Sequence, residues 1–146
     1  MSFEDPLIGF KYSLDIGGKV TGYFTEVSGL DIEYEPVELK VVNEKGVPLI
    51  IQQPGRIKYS DITLKRGITS NLDIWTWRQE IEDGNVDSAR VNGSVTMRSE
   101  DGTPVAVWNF ENGWPSKVSG PQVKSDSSEY GVEELVIVHE FLKRES

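Results

Sequence analysis

The sequence predicts a mainly β chain with one α-helix: an antiparallel β-barrel or two packed sheets, flanked by a mid-chain helix, with an extended arm between early strands. Three observations lead there. At least six stretches alternate apolar and polar residues with the period of a strand, and one stretch alone, Ser70 to Gly84, repeats with the period of a helix. Between the early strands, residues 43–56 combine Pro and Gly with a cluster of large aliphatics.

Phe10, Tyr12, Leu14 and Ile16 alternate with Lys11, Ser13 and Asp15, and Gly17-Gly18 supplies the two-residue turn of a hairpin. The second strand runs from Val20 to Val27 and ends at Ser28-Gly29. Leu30, Ile32 and Tyr34 then alternate with Asp31, Glu33 and Glu35, one face apolar and the other acidic. Pro36 breaks the alternation, which resumes with opposite parity at Val37, Leu39 and Val41, so a bulge or bend is expected there.

Residues 43–56, NEKGVPLIIQQPGR, are too apolar at Leu49, Ile50 and Ile51 for a disordered loop. Two readings stand: a hairpin folded onto its own domain, and an arm that docks on another subunit. The second is preferred, because exposed apolar surface marks interaction sites.

Ile62 and Leu64 alternate with Thr63 and Lys65 until Gly67, and the helix follows. Ser70 with Asp73 resembles a capping box in its Asp form, and Gly84 is the matching stop. Leu72 and Trp75, with Ile74, Trp77 and Ile81, make a broad apolar face, so both indoles are expected in the core with their N–H groups bonded. Glu80, Glu82 and Asp83 sit where the helix dipole is already negative, at about 0.3–1 kcal/mol each. Basic residues of a neighbouring subunit, a solvent channel or a tolerated solvated face would each resolve that conflict.

Beyond the helix, Ala89 to Ser99 reads as a strand with Val91, Val95 and Met97 on one face, turning at Glu100-Asp101-Gly102. Val105 to Phe110 is nearly continuous in apolar residues and so is expected to be covered on both faces, either by a second layer or by a neighbouring subunit. Ser116 to Ser128 reads as a surface loop. Tyr130 to Leu142 reads as one long strand buried on two sides.

The length of 146 residues suits a single domain spanning 1–146. Cysteine is absent, which removes disulfides and thiolate chemistry, and one histidine cannot build a His-rich metal site. The net charge of -9 argues against a surface that grips nucleic acid. Neither a signal sequence nor an apolar run of about 20 residues is visible, so synthesis in the cytoplasm and no membrane anchoring are expected. No catalytic fingerprint occurs, and adjacent acids such as Glu133-Glu134 lack the separation that acid/base catalysis requires. The chain is expected to be no enzyme and to need no cofactor. His139 is expected to pack against a neighbour, and Asn92-Gly93-Ser94 matches a glycosylation acceptor by coincidence.

Several blocks in order, GYFTEVSGLDIEYE (Gly22 to Glu35), PGRIKYSDITLKRGIT (Pro54 to Thr69), LDIWTW (Leu72 to Trp77), DGTPVAVWNFENGWPSKVSGP (Asp101 to Pro121) and EELVIVHEFLKR (Glu133 to Arg144), resemble the inner tail tube proteins of contractile injection systems and contractile-tailed phages. The type VI secretion tube protein shares their architecture. The resemblance implies a barrel of two packed sheets with a flanking helix, assembled as stacked hexameric rings into a hollow conduit inside a sheath. It implies as partners other copies of the chain, the sheath protein, baseplate or spike and tube-terminating proteins, and protein or nucleic-acid cargo in the lumen. Assembly in the cytoplasm would precede release in a particle.

By the same resemblance the arm falls on 43–56, with Val47, Pro48, Leu49, Ile50, Ile51 and Gln52 at the subunit interface. Glu33, Glu35, Glu38, Glu80, Glu82 and Asp83 are the candidate lumen or inter-ring charges. One departure is Ser127-Ser128-Glu129-Tyr130, where relatives commonly carry an Asn-Glu pair entering the last strand. A ring next to the baseplate is one alternative to the main shaft. Another is a small carbohydrate- or ligand-binding module with Trp75, Trp77, Trp108 and Trp114 as a stacking platform.

Overall fold

The structure is a computed structural model that describes residues 11–17, 19–120 and 131–145. Its strands are β1 (Lys11–Ile16), β2 (Val20–Phe24), β3 (Glu26–Ser28), β4 (Ile32–Val42), β5 (Pro48–Tyr59), β6 (Ile62–Gly67), β7 (Val91–Arg98), β8 (Pro104–Ser119), β9 (Val132–Val138) and β10 (Phe141–Arg144). Two helices, α1 (Asp73–Glu82) and α2 (Val86–Ala89), lie between β6 and β7. The mainly β architecture with one substantial helix is the one the alternation predicts.

Eight strands form one antiparallel sheet in the order β2-β1-β7-β8-β9-β6-β3, with β10 added to β8. Its two ends, β2 and β3, are successive in the chain and separated only by Thr25, whose amide donates to the Lys65 carbonyl at 2.8 Å. The run from Val20 to Ser28 therefore pairs with β1 through its first half and with β6 through its second, and closes the sheet into a barrel. Closure removes the unpaired edges an open sheet would present. The strand expected from Val20 to Val27 is thus two strands, because it serves two partners.

Inside the barrel, Leu14, Ile16, Val20, Phe24, Ile62, Leu64, Val95, Phe110, Leu135 and Ile137 share one apolar cluster with Ile74 and Trp77 of α1. The helix packs on β8, β2 and α2. Both indoles find partners as expected: Trp77 donates to the Ala89 carbonyl at 2.8 Å and Trp75 to Glu133 Oε1 at 3.0 Å. Trp77 is buried, whereas Trp75 is only half-buried, and Leu72, at the N-cap, is exposed. Gly84 ends the helix with φ +87°, a conformation that disfavours side chains.

The helix start differs from the capping box. Asn71 Oδ1, not the Ser70 hydroxyl, accepts from the Asp73 amide, and Asp73 itself accepts from the Ile74 amide. The Asp73 carboxylate is drawn inward by Arg66, 2.8 Å away, which fixes the approach to the helix.

Further expectations are corrected. β7 starts at Val91 rather than Ala89, because Ala89 closes the short helix α2 beneath the Trp77 indole. Ser116 to Ser119 belong to β8 rather than to a loop, because Lys117, Val118 and Ser119 pair with β9. Gly120 is exposed and outside the strand, and residues 121–128 of that expected loop lie outside the described residues, as do Phe10, Gly18 and the departure at 127–130.

The last strand is broken at His139-Glu140 into β9 and β10, which run one after the other along the same side of β8. It is buried on one side only: Glu133, Leu135, Ile137 and His139 point inward, while Val132 is exposed and Val136 half-buried. Likewise Val105 is exposed and Val107 half-buried, so the outer face of β8 has no second layer among the described residues.

Candidate assembly surface

Residues 43–56 are the distal part of a much longer element. Among the described strands, β4 and β5 pair only with each other, as a two-stranded ribbon from Ile32 to Tyr59. Its tip is a turn in which Asn43 Oδ1 accepts from the Lys45 and Val47 amides, and Gly46 takes φ +78°. The segment is regular because its prolines fall where a strand tolerates them. Pro36 lies directly opposite Pro54. Two prolines have no N–H to exchange, so this is a pair whose amide positions point out of the ladder, and Pro48 falls on the same parity. No bond between the strands is lost, and the β5 edge loses donors that would recruit another strand.

A register shift between Tyr34 and Pro36 answers to the expected irregularity, with the extra residue on β5 rather than at Pro36. Gly55 sits there, where a Cβ would lie 2.6 Å from Val37 Cγ2 and 2.7 Å from the Glu35 carbonyl oxygen. Beyond the bulge, Leu39 pairs with Ile51 and Val41 with Leu49, and cross-strand partners share a face. These four aliphatics remain 36–43% exposed. Pro48, Ile50 and Gln52 are on the other face, where Ile50 is 62% exposed, and Val47 belongs to the turn.

The candidate charges fall on two separate elements. On the ribbon, Glu35 pairs with Lys58 at 2.8 Å, Glu33 lies opposite Lys58, and Glu38 accepts from Gln52 at 3.2 Å. The Glu35 carboxylate, by hydrogen bond and charge, raises the Lys58 ammonium above its ordinary value. On α1, Glu80 pairs with Lys19 at 2.8 Å, Glu82 with Arg78 at 2.7 Å, and Asp83 accepts from Gln79 at 3.1 Å. Two of the three acids that conflict with the helix dipole thus have a cation within the chain. No local pattern reveals Lys19 as the partner of Glu80, because 61 residues separate the two.

Of the four tryptophans proposed as a stacking platform, Trp77 is buried, and Trp75 on α1 and Trp108 and Trp114 on β8 are half-buried. Among the described residues no group of His, Asp and Glu could hold a metal ion, and no helix is long and apolar enough to cross a membrane.

Solved structures share this fold. A chain of the PVC sheath-tube complex, an extracellular contractile injection system in its extended state, is 20% identical with a TM-score of 0.72, over 93% of this chain and 88% of that one. A chain in the structure of the anti-feeding prophage cap, a tube-terminating cap, is 19% identical with a TM-score of 0.73, over 100% and 95%. Hcp1 from Flavobacterium johnsoniae is 16% identical with a TM-score of 0.51, over 92% and 94%. No curated protein matches the chain. The family model described as T4-like virus tail tube protein gp19 matches residues 9–143, and the chain belongs to that family.

Proposed function

We propose that the chain is a structural subunit of the inner tube of a contractile injection apparatus, assembling into stacked hexameric rings around a hollow conduit. Membership of the tail tube family carries this reading. The ribbon, which pairs with no other described strand, supports it, since four half-exposed aliphatics on one face of a two-stranded element gain stability when something covers them. A neighbouring copy is the cover proposed here, with Leu39, Val41, Leu49 and Ile51 as its contacts. Sheath, baseplate and tube-terminating proteins are the further partners, by likeness to structures of such complexes.

Six copies would carry six times -9, or -54, in formal charge. An acidic lumen would let an anionic cargo pass without sticking. Because Glu35, Glu80 and Glu82 each have a cation of their own, Glu33, Glu38 and Asp83 are the better candidates for that wall.

Electron microscopy of the purified protein tests the proposal. Rings of roughly 80–100 Å, a size estimated from six subunits of this mass around a hole, or tubes of that width, are expected. A strict monomer at all concentrations overturns it. Replacing Leu49 and Ile51 together by Asp is expected to abolish rings while the monomer keeps its circular dichroism; rings that form unchanged remove the ribbon from the interface.

A further inference from the structure

His139 is the chain's sole histidine and is 8% exposed. Both of its ring nitrogens lie against carbonyl oxygens, Nε2 at 2.9 Å from Ser60 and Nδ1 at 3.1 Å from Phe141. Ser60 follows directly on β5, so one carbonyl belongs to the foot of the ribbon and the other to the start of β10. A carbonyl oxygen only accepts. Neutral imidazole carries one N–H and can satisfy one of the two; the imidazolium donates to both.

The ring's neighbours fix its position. Tyr59 of β5 and Phe110 of β8 lie 5.6 and 6.1 Å away between centroids, and Tyr59 rests on Phe141 of β10 at 6.2 Å. The titratable groups beside these contacts are the Tyr59 phenol and three carboxylates. Asp61 adjoins Ser60, Glu111 of β8 pairs in register with Phe141, and Glu140 Oε2 accepts from Asn112 at 2.8 Å.

We infer that His139 is a proton-operated tether that positions the ribbon on the barrel. With the proton, one ring holds the ribbon's foot and β10 together. Without it, one nitrogen turns a lone pair toward a carbonyl oxygen, and that contact becomes repulsive. The ribbon's ladder bonds run between its own strands and do not oppose a change of angle at its base. Any effect on assembly rests on the ribbon being the docking arm, whereas the tether is measured without assembly.

Hydrogen exchange by mass spectrometry on the full chain at pH 5.5 and 8, normalised to intrinsic rates, tests the tether. Exchange in the peptide covering residues 57–62 is expected to rise at least five-fold at the higher pH, and His139→Gln, which cannot titrate, to abolish that dependence. Equal normalised exchange in the unaltered protein, or the same dependence in the variant, overturns the inference. If the variant does not fold, the C2–H resonance of the single histidine decides: its titration must share the midpoint of the exchange transition, and a different midpoint overturns the tether.

Discussion

Arg66 and Glu133 face each other directly across β6 and β9, with Nε 3.1 Å from Oε2 and side chains only 7% and 3% exposed. Arg66 also reaches Asp73, and the second Glu133 oxygen takes the Trp75 indole. One cation thus holds two carboxylates and joins α1 to two strands. Removing a member of a buried pair costs about 3–5 kcal/mol when the remaining charge is uncompensated. Arg66→Met leaves two carboxylates so placed and is expected to cost that much, whereas Glu133→Gln leaves Arg66 with Asp73 and should cost less. Thermal melts check the order; equal losses would refute it.

Phe110 is enclosed by two glycines. A Cβ at Gly113 would lie 2.4 Å from its Cε1, and one at Gly93 2.6 Å from its Cζ. Gly113→Ala is expected to destabilise by about 1–3 kcal/mol through overpacking, and Phe110→Leu added to it to recover part of the loss. Denaturant unfolding of the single and double variants measures both.

Asp101 accepts from the Ser99 hydroxyl and from the Thr103 amide, and these bonds, the Ser99 one first, pull its carboxyl down to about 2. Because the folded value lies below the ordinary 3.8, its contribution is present above the ordinary range and is lost as pH falls through about 2. Side-chain NMR titration should place the midpoint there, and Ser99→Ala should move it upward. An unaltered Asp101 titrating at 3.8 counts against this turn geometry.

Lys19 and Glu80 tie the first hairpin to α1 with side chains 25% and 27% exposed. Glu80→Gln is expected to cost about 0.5–1 kcal/mol, an effect that shrinks in high salt. Unfolding at low and high ionic strength reads it, and a cost that does not respond to salt would point to packing instead.

Local patterns along the chain marked most of the elements, and ordered blocks of residues marked the family. Alternation marked most of the strands, and the Leu72 to Ile81 spacing marked the longer helix. Such patterns are legible because a strand or helix turns its side chains inward at a regular interval. Spacing could not show that Val20 to Ser28 is shared between two sheet ends, that the β4-β5 ribbon begins at Ile32, or that Arg66, Asp73 and Glu133 form one buried group. Nor could it place Lys19 beside Glu80 or His139 beneath Ser60. These pairings join residues up to 79 apart, and their partners are chosen by closure of the barrel rather than by any interval along the chain.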